Sequence, residues 1–189
     1  MRKLVLASGS PRRKRFFEMM GWPFEILVPG TEERARENEA PSDYTRRNAE
    51  EKAAAALALA GDADGTVVVA ADTIVVQGNR ILEKPKDEAE AGRMLRALSG
   101  HVHHVMSGVC VMDRQRKLSQ TVITEVQFKE LSDEEILAYI RTGEPMDKAG
   151  AYGIQGHAAY MVRAIRGSYT NVVGLPLTET VEMLREFGF

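Results

Sequence analysis

Thr66-Val67-Val68-Val69-Ala70-Ala71 is an unbroken run of β-branched and small apolar residues, and it leads straight into Asp72. A strand without polar alternation has to be covered on both faces. Residues 66–71 therefore read as a strand buried on both faces. After Asp72, Gly78-Asn79 marks a hairpin turn between short apolar runs at 74–76 and 81–82. Upstream, an Ala-rich helix starts at Ser42 as N-cap and runs to about residue 60, with Ala49, Ala53, Ala56, Leu57 and Ala60 on one side and Gly61 as its stop. Further upstream, residues 4–7 form a first strand. Ser10-Pro11 then opens a helix that Gly21 ends, with Phe16, Phe17, Met19 and Met20 as its buried face. Residues 25–28 make a second strand.

Downstream, Asp87 with Glu90 and Ser132 with Glu135 are spaced as capping boxes, each opening a helix. Between them lie strands at about 103–112 and 121–129. Residues 144–156 form a Gly-rich loop, 158–165 a strand, and Thr178 caps a last helix with Val181 and Leu184 buried. Helix and strand signals alternate throughout, which predicts an α/β (α+β) fold.

The chain has 189 residues, 44% of them hydrophobic. That suits one domain over residues 1–189, or two lobes sharing one cleft. A net charge of -2 argues against a dedicated nucleic-acid binder. Cys110 is the single cysteine, so no internal disulfide can form, which fits a reducing compartment. The apolar stretch 4–7 is too short for a signal peptide, and no run reaches membrane-spanning length. The protein is expected in the cytoplasm, away from membranes.

Arg12, Arg13, Lys14 and Arg15 crowd the first turn of a helix, where cations are ordinarily unfavourable by roughly 0.3–1 kcal/mol each. Free N–H groups at a helix start attract anions. A phosphate chain docked there would turn the repulsion into attraction, with Ser8 and Ser10 as further donors. The plainer reading is a solvated basic run. Asp72 sits where open α/β sheets place ligands, and could serve as a general base, a metal ligand, or merely the start of a bend. Lys52 interrupts the apolar side of its helix, and Lys84 precedes Pro85 in a loop. Together with Asp72 and the basic turn they could line a polyphosphate cleft. In the loop, Gly150, Gly153 and Gly156 allow close backbone approach to a ligand, and Gln155 can read the edge of a base. The loop is neither G-x-G-x-x-G nor a P-loop, and the chain has no G-x-S-x-G elbow. His101, His103 and His104 lie together, but only His101 and His103 would share a strand face, with no cysteine placed to complete a zinc site.

Several of these stretches occur together in one family. Leu6-Ala7-Ser8-Gly9-Ser10-Pro11-Arg12-Arg13 resembles the N-terminal signature of the Maf family of nucleotide pyrophosphatases, and Ala71-Asp72-Thr73-Ile74-Val75 resembles its central motif. Glu83-Lys84-Pro85, Leu98-Ser99-Gly100-His101 and Glu144-Pro145-Met146-Asp147-Lys148-Ala149-Gly150-Ala151-Tyr152-Gly153-Ile154-Gln155-Gly156 are similar to further family motifs, in the same order.

The resemblance implies hydrolysis of a nucleoside triphosphate to the monophosphate and pyrophosphate, with a divalent cation, Mg²⁺ or Mn²⁺. It implies an elongated mixed sheet flanked by helices, with two lobes around a cleft, as in inosine triphosphate pyrophosphatases. By the same resemblance Asp72 is the catalytic carboxylate. Ser8, Arg12, Arg13, Glu33, Lys52 and Lys84 line the cleft, while Arg12, Thr73 and Gln155 govern substrate choice. Glu33 and Asp72 are the expected metal ligands, and Lys52 an expected catalytic cation. The stretch 147–156 is similar to the subgroup acting on dTTP and UTP. The alternatives are the subgroup acting on 7-methyl-GTP, or a nucleotide-binding regulator of septum formation. A homodimer is a reasonable assembly for such a domain.

Overall fold

The computed structural model describes residues 2–61 and 65–189. Its sheet has seven strands: β1 (Lys3–Leu6), β2 (Phe24–Ile26), β3 (Thr66–Gln77), β4 (Arg80–Leu82), β5 (Val102–Met112), β6 (Lys117–Phe128) and β7 (Val162–Arg166). Neighbours follow the order β2-β1-β3-β5-β6-β7, with β4 also paired to β3. The sheet is mixed. β1 runs parallel to β2 and β3, whereas β4 is antiparallel to β3 and β7 antiparallel to β6. Six α-helices accompany it among the described residues: α1 (Pro11–Met20), α2 (Pro41–Leu59), α3 (Glu88–Leu98), α4 (Asp133–Ile140), α5 (Tyr169–Val173) and α6 (Leu177–Glu186). None is long and apolar enough to cross a membrane.

The chain divides into two compact units interleaved in sequence. The first holds residues up to Asp72, 107–122 and 174–189. Its core joins Val5, Val68, Ala70 and Cys110 of the sheet, and Ala7 just beyond β1, to Ala49, Ala53 and Ala56 of α2. Small side chains on the helix allow it to lie close to the strands. Burial pushes the Cys110 thiol up to about 12, as befits a core residue rather than a nucleophile. The second unit holds residues 73–106 and 123–173. There Leu95, Leu98, Ile136, Tyr139, Phe128, Tyr152 and Met161 pack together. Its helices start as their caps dictate. Asp87 accepts from the Glu90 N–H at 2.6 Å, and Ser132 and Glu135 form a complete capping box.

Several expectations need correction. β3 does not stop at residue 71 but continues through Asp72 to Gln77, because Val75, Val76 and Gln77 find antiparallel partners in β4. Asp72 is therefore an interior strand residue and not a turn former. α2 starts at Pro41 with Ala40 at the N-cap position and no side-chain cap, so Ser42 lies inside the first turn, where its carbonyl accepts from the Thr45 and Thr121 hydroxyls. Met19 is exposed, so α1 buries only Phe16 and Phe17. Residues 157–161 form 3₁₀ turns before β7 begins at Val162. α6 begins at Leu177 behind Pro176, and buries Leu184 as expected, with Met183 in place of Val181.

Candidate active site

In the first unit, β1 ends at Leu6 opposite Val69, while β3 runs on to Asp72. The turn that leaves β1 at Ser8 and enters α1 at Pro11 therefore comes off the same end of the sheet as Asp72. Ser8 is buried, and its Oγ accepts from the Ser10 N–H at 3.2 Å and from Arg13 Nη1 at 3.3 Å. Arg13 Nε donates to the Gly174 carbonyl at 2.8 Å. Burial pulls the Arg13 guanidinium below its ordinary pKa; the negative field of Asp72 opposes this, the charge of Arg12 adds to it, and Glu33 opposes it again. Arg13 thus lies within electrostatic reach of both Asp72 and Glu33.

Asp72 is only 5% exposed. A buried carboxylate is stable only when paired and hydrogen-bonded, and both its oxygens are. Oδ1 accepts from Lys52 Nζ at 2.7 Å, and Oδ2 from Asn48 Nδ2 at 3.0 Å. The same Lys52 ammonium also donates to Glu33 Oε1 at 2.6 Å. Glu33 itself is half-exposed, in a stretch without regular structure. Two carboxylates therefore converge on one cation. Among the described residues no group of three or more His, Cys, Asp or Glu converges in this way. Hard oxygen donors in a pair, completed by phosphate oxygens and water, are what Mg²⁺ or Mn²⁺ accepts. The donor chemistry of Glu33 and Asp72 thus fits a cation that arrives with a polyphosphate.

Thr73, Lys84 and Gln155 belong to the second unit. Thr73 follows Asp72 on β3 and is half-buried. Lys84 is exposed just after β4, next to Glu83, whose carbonyl accepts from the Gly150 N–H at 3.1 Å. Gln155 is exposed in a segment braced by Glu144. That carboxylate accepts from the Tyr139 hydroxyl at 2.9 Å, from the His157 N–H at 2.9 Å and from His157 Nδ1 at 2.8 Å. Burial acts to raise the Glu144 pKa, but these donors outweigh it and hold the carboxyl below its ordinary value. The glycines of this segment serve internal packing. A Cβ on Gly150 would stand 2.8 Å from Val75 Cβ, and one on Gly153 would stand 2.9 Å from Lys148 Cε.

The histidines do not form a cluster. His101 precedes β5 and is exposed. His103 is fully buried, its Nε2 2.8 Å from the Tyr152 hydroxyl and its ring edge-on to Phe128 and Tyr152. Burial, with His104 adding to it, pushes the His103 pKa down to about 3. The folded protein then holds fewer protons than the unfolded chain below the ordinary histidine value. Stability is lost as pH falls from about 6.5 towards 3. One proton over the first part of that window is worth about 2 kcal/mol between pH 7 and 5. Urea unfolding should show that loss in the wild type and a flatter slope in His103→Gln. Equal slopes would mean that His103 is accessible to protons.

Asn48 and the Gly174 carbonyl were not foreseen from sequence. Asn48 carried a usable signal, because it lies one helical turn before Lys52 and is likewise polar on a face of small apolar residues.

A family model described as Maf-like protein matches residues 3–187. The chain is similar to a dTTP/UTP pyrophosphatase of Photorhabdus laumondii, 50% identical over 187 residues covering 99% of this chain and 95% of the relative. It is 53% identical over 188 residues to a dTTP/UTP pyrophosphatase of Geobacter sulfurreducens, covering 98% and 97% of the two chains. A Vibrio cholerae dTTP/UTP pyrophosphatase is 52% identical over 185 residues, with 98% of each chain covered. Among solved structures it is similar to a nucleoside-triphosphatase / dITP/XTP pyrophosphatase of Mycobacterium abscessus, with 13% identity, 97% and 94% coverage and a TM-score of 0.46.

Proposed function

Since the chain belongs to the Maf-like protein family, we propose that it is a nucleoside triphosphate pyrophosphatase that hydrolyses dTTP and UTP to the monophosphate and pyrophosphate. The observation that carries this reading is the Lys52 ammonium held between Glu33 and Asp72, within electrostatic reach of Arg13. The relatives' names favour pyrimidine triphosphates over 7-methyl-GTP.

In this reading water attacks the α phosphorus and pyrophosphate departs. Asp72 orients the water and accepts its proton. It is suited to this because it is buried and its side chain is held at both oxygens, so it is aimed before substrate arrives. Lys52, Arg12, Arg13 and Lys84 offset the charge that develops on the phosphates. Ser8 keeps Arg13 in place through its Oγ. Glu33 and Asp72 would hold Mg²⁺ or Mn²⁺. Once bound, that ion supplies charge neutralisation and polarisation at the phosphate oxygens. Thr73 and Gln155 are assigned to substrate choice, with Gln155 reading the base through its amide.

Pyrophosphate release from a panel of nucleoside triphosphates, with Mg²⁺ and Mn²⁺ compared, tests the reading. Turnover of dTTP and UTP well above the purine triphosphates is expected. A protein that binds these nucleotides to saturation but releases no pyrophosphate would be a binding module instead. Gln155→Ala is expected to reduce the dTTP-over-GTP ratio of kcat/KM by roughly tenfold, the worth of one hydrogen bond. An unchanged ratio would make Gln155 a structural residue.

A further inference from the structure

Lys52 alone does not fix the plane of the Asp72 carboxylate. An ammonium is a compact point charge with freely rotating donors. The last torsion of an aspartate, between tetrahedral and planar carbon, is broad. A second, directional contact on the other oxygen removes that freedom, and Asn48 makes it at 3.0 Å from a side chain that is 2% exposed.

The Asn48 amide is itself oriented. Arg47 Nη1 donates to Asn48 Oδ1 at 3.3 Å. A guanidinium has no acceptor and an ionised carboxylate has no donor. The amide satisfies both neighbours only with its oxygen towards Arg47 and its nitrogen towards Asp72. Arg47 is anchored in turn. Its Nε and Nη2 meet the two Glu39 oxygens at 2.6 and 2.7 Å, its Nη1 lies 3.1 Å from both Glu51 oxygens, and Nη2 donates to the Arg34 carbonyl at 2.9 Å. Asn48 and Lys52 project from one face of α2, one turn apart.

From this geometry, and resting on the hydrolytic reading above, we propose that Asn48 is a positioning residue: its amide, oriented by Arg47, sets the rotation of the Asp72 carboxylate for the attack on the substrate. A rotation of the carboxylate misdirects its lone pairs, while the cationic side chains assigned to the phosphates, Lys52, Arg12, Arg13 and Lys84, keep their places. The effect therefore falls on kcat and spares KM. Asn48→Leu is expected to lower kcat for dTTP by roughly 10- to 100-fold, the scale on which misalignment of a reacting group is felt, while KM stays within about twofold. Asn48→Asp has the same shape but turns an acceptor towards Asp72, and should lose at least as much.

A contact that needs no turnover is read alongside. The side-chain amide proton of Asn48, identified by its loss from the NMR spectrum of Asn48→Asp, is expected to move upfield in Asp72→Ala as its carboxylate acceptor disappears. Wild-type kcat in either folded variant overturns the proposal, and so does an amide resonance that Asp72→Ala leaves in place. If the wild type itself releases no pyrophosphate, the hydrolytic reading fails instead, and with it any positioning role for the contact that the NMR arm reports.

Discussion

Asp72→Asn is expected to abolish pyrophosphate release, with a loss of roughly 10³-fold or more in kcat for dTTP and UTP, while the protein remains folded. The substitution changes almost nothing in volume. It does change what the side chain can accept. Asp72 takes hydrogen bonds from Lys52 on one oxygen and from Asn48 on the other. An amide offers a single oxygen, so one of those donors would face an NH₂ group. Proton acceptance is lost, and so is half of the carboxylate pair that converges on Lys52. The fold should tolerate the change, because Lys52 keeps Glu33 as a partner and the strand is held by its pairing with β4 beyond residue 72. A pyrophosphate-release assay beside a thermal melt makes the check. Near-normal turnover in a folded Asp72→Asn protein would remove Asp72 from the chemistry altogether.

What could be read in advance divides along a physical line. Features fixed by neighbours in sequence were legible. Pro11 and Gly21 bracket α1, Gly78-Asn79 turns β3 into β4, and Ser132 with Glu135 starts α4, because each depends on local backbone geometry. Features fixed across the chain were not. A charge after a pure apolar run looks like the end of a strand, since a buried carboxylate is costly. β3 carries Asp72 in its interior only because α2 delivers Lys52 and Asn48 to it, 20 and 24 residues away in sequence. His103 read as one of three histidines lying together in sequence, and the partner that shares its burial, Tyr152, is 49 residues away.

Within the candidate site, the misfit of Lys52 with its apolar face is matched by its contacts with Asp72 and Glu33, and Asn48 offered the same misfit. Glu33 had no such signal. It lies in a stretch without helix or strand periodicity, and only the resemblance to a family singled it out.

The second large effect tests the support beneath these groups. Gly108 lies on β5 directly under α2. A Cβ there would come within 2.6 Å of Arg46 N, and closer still to the Thr45 carbonyl. Those are backbone atoms, which cannot rotate aside as a side chain can, so relief requires the helix to move. Gly108→Ala is therefore expected to destabilise the protein by about 3 kcal/mol, the upper part of the range for overpacked sites. Urea unfolding measures this directly. The damage should also reach the chemistry, since Asn48 and Lys52 follow Thr45 within the next two turns of the same helix. Turnover per folded molecule should fall as well, which a purely global loss of stability would not produce below the unfolding transition. Gly30→Ala is the control, because a Cβ at Gly30 would meet nothing within 4 Å, and it should stay within about 0.5 kcal/mol of the wild type. A Gly108→Ala protein as stable and as active as that control would mean that α2 does not lie as close to β5 as this geometry requires. The alignment of Lys52 and Asn48 on Asp72 would then lose its foundation.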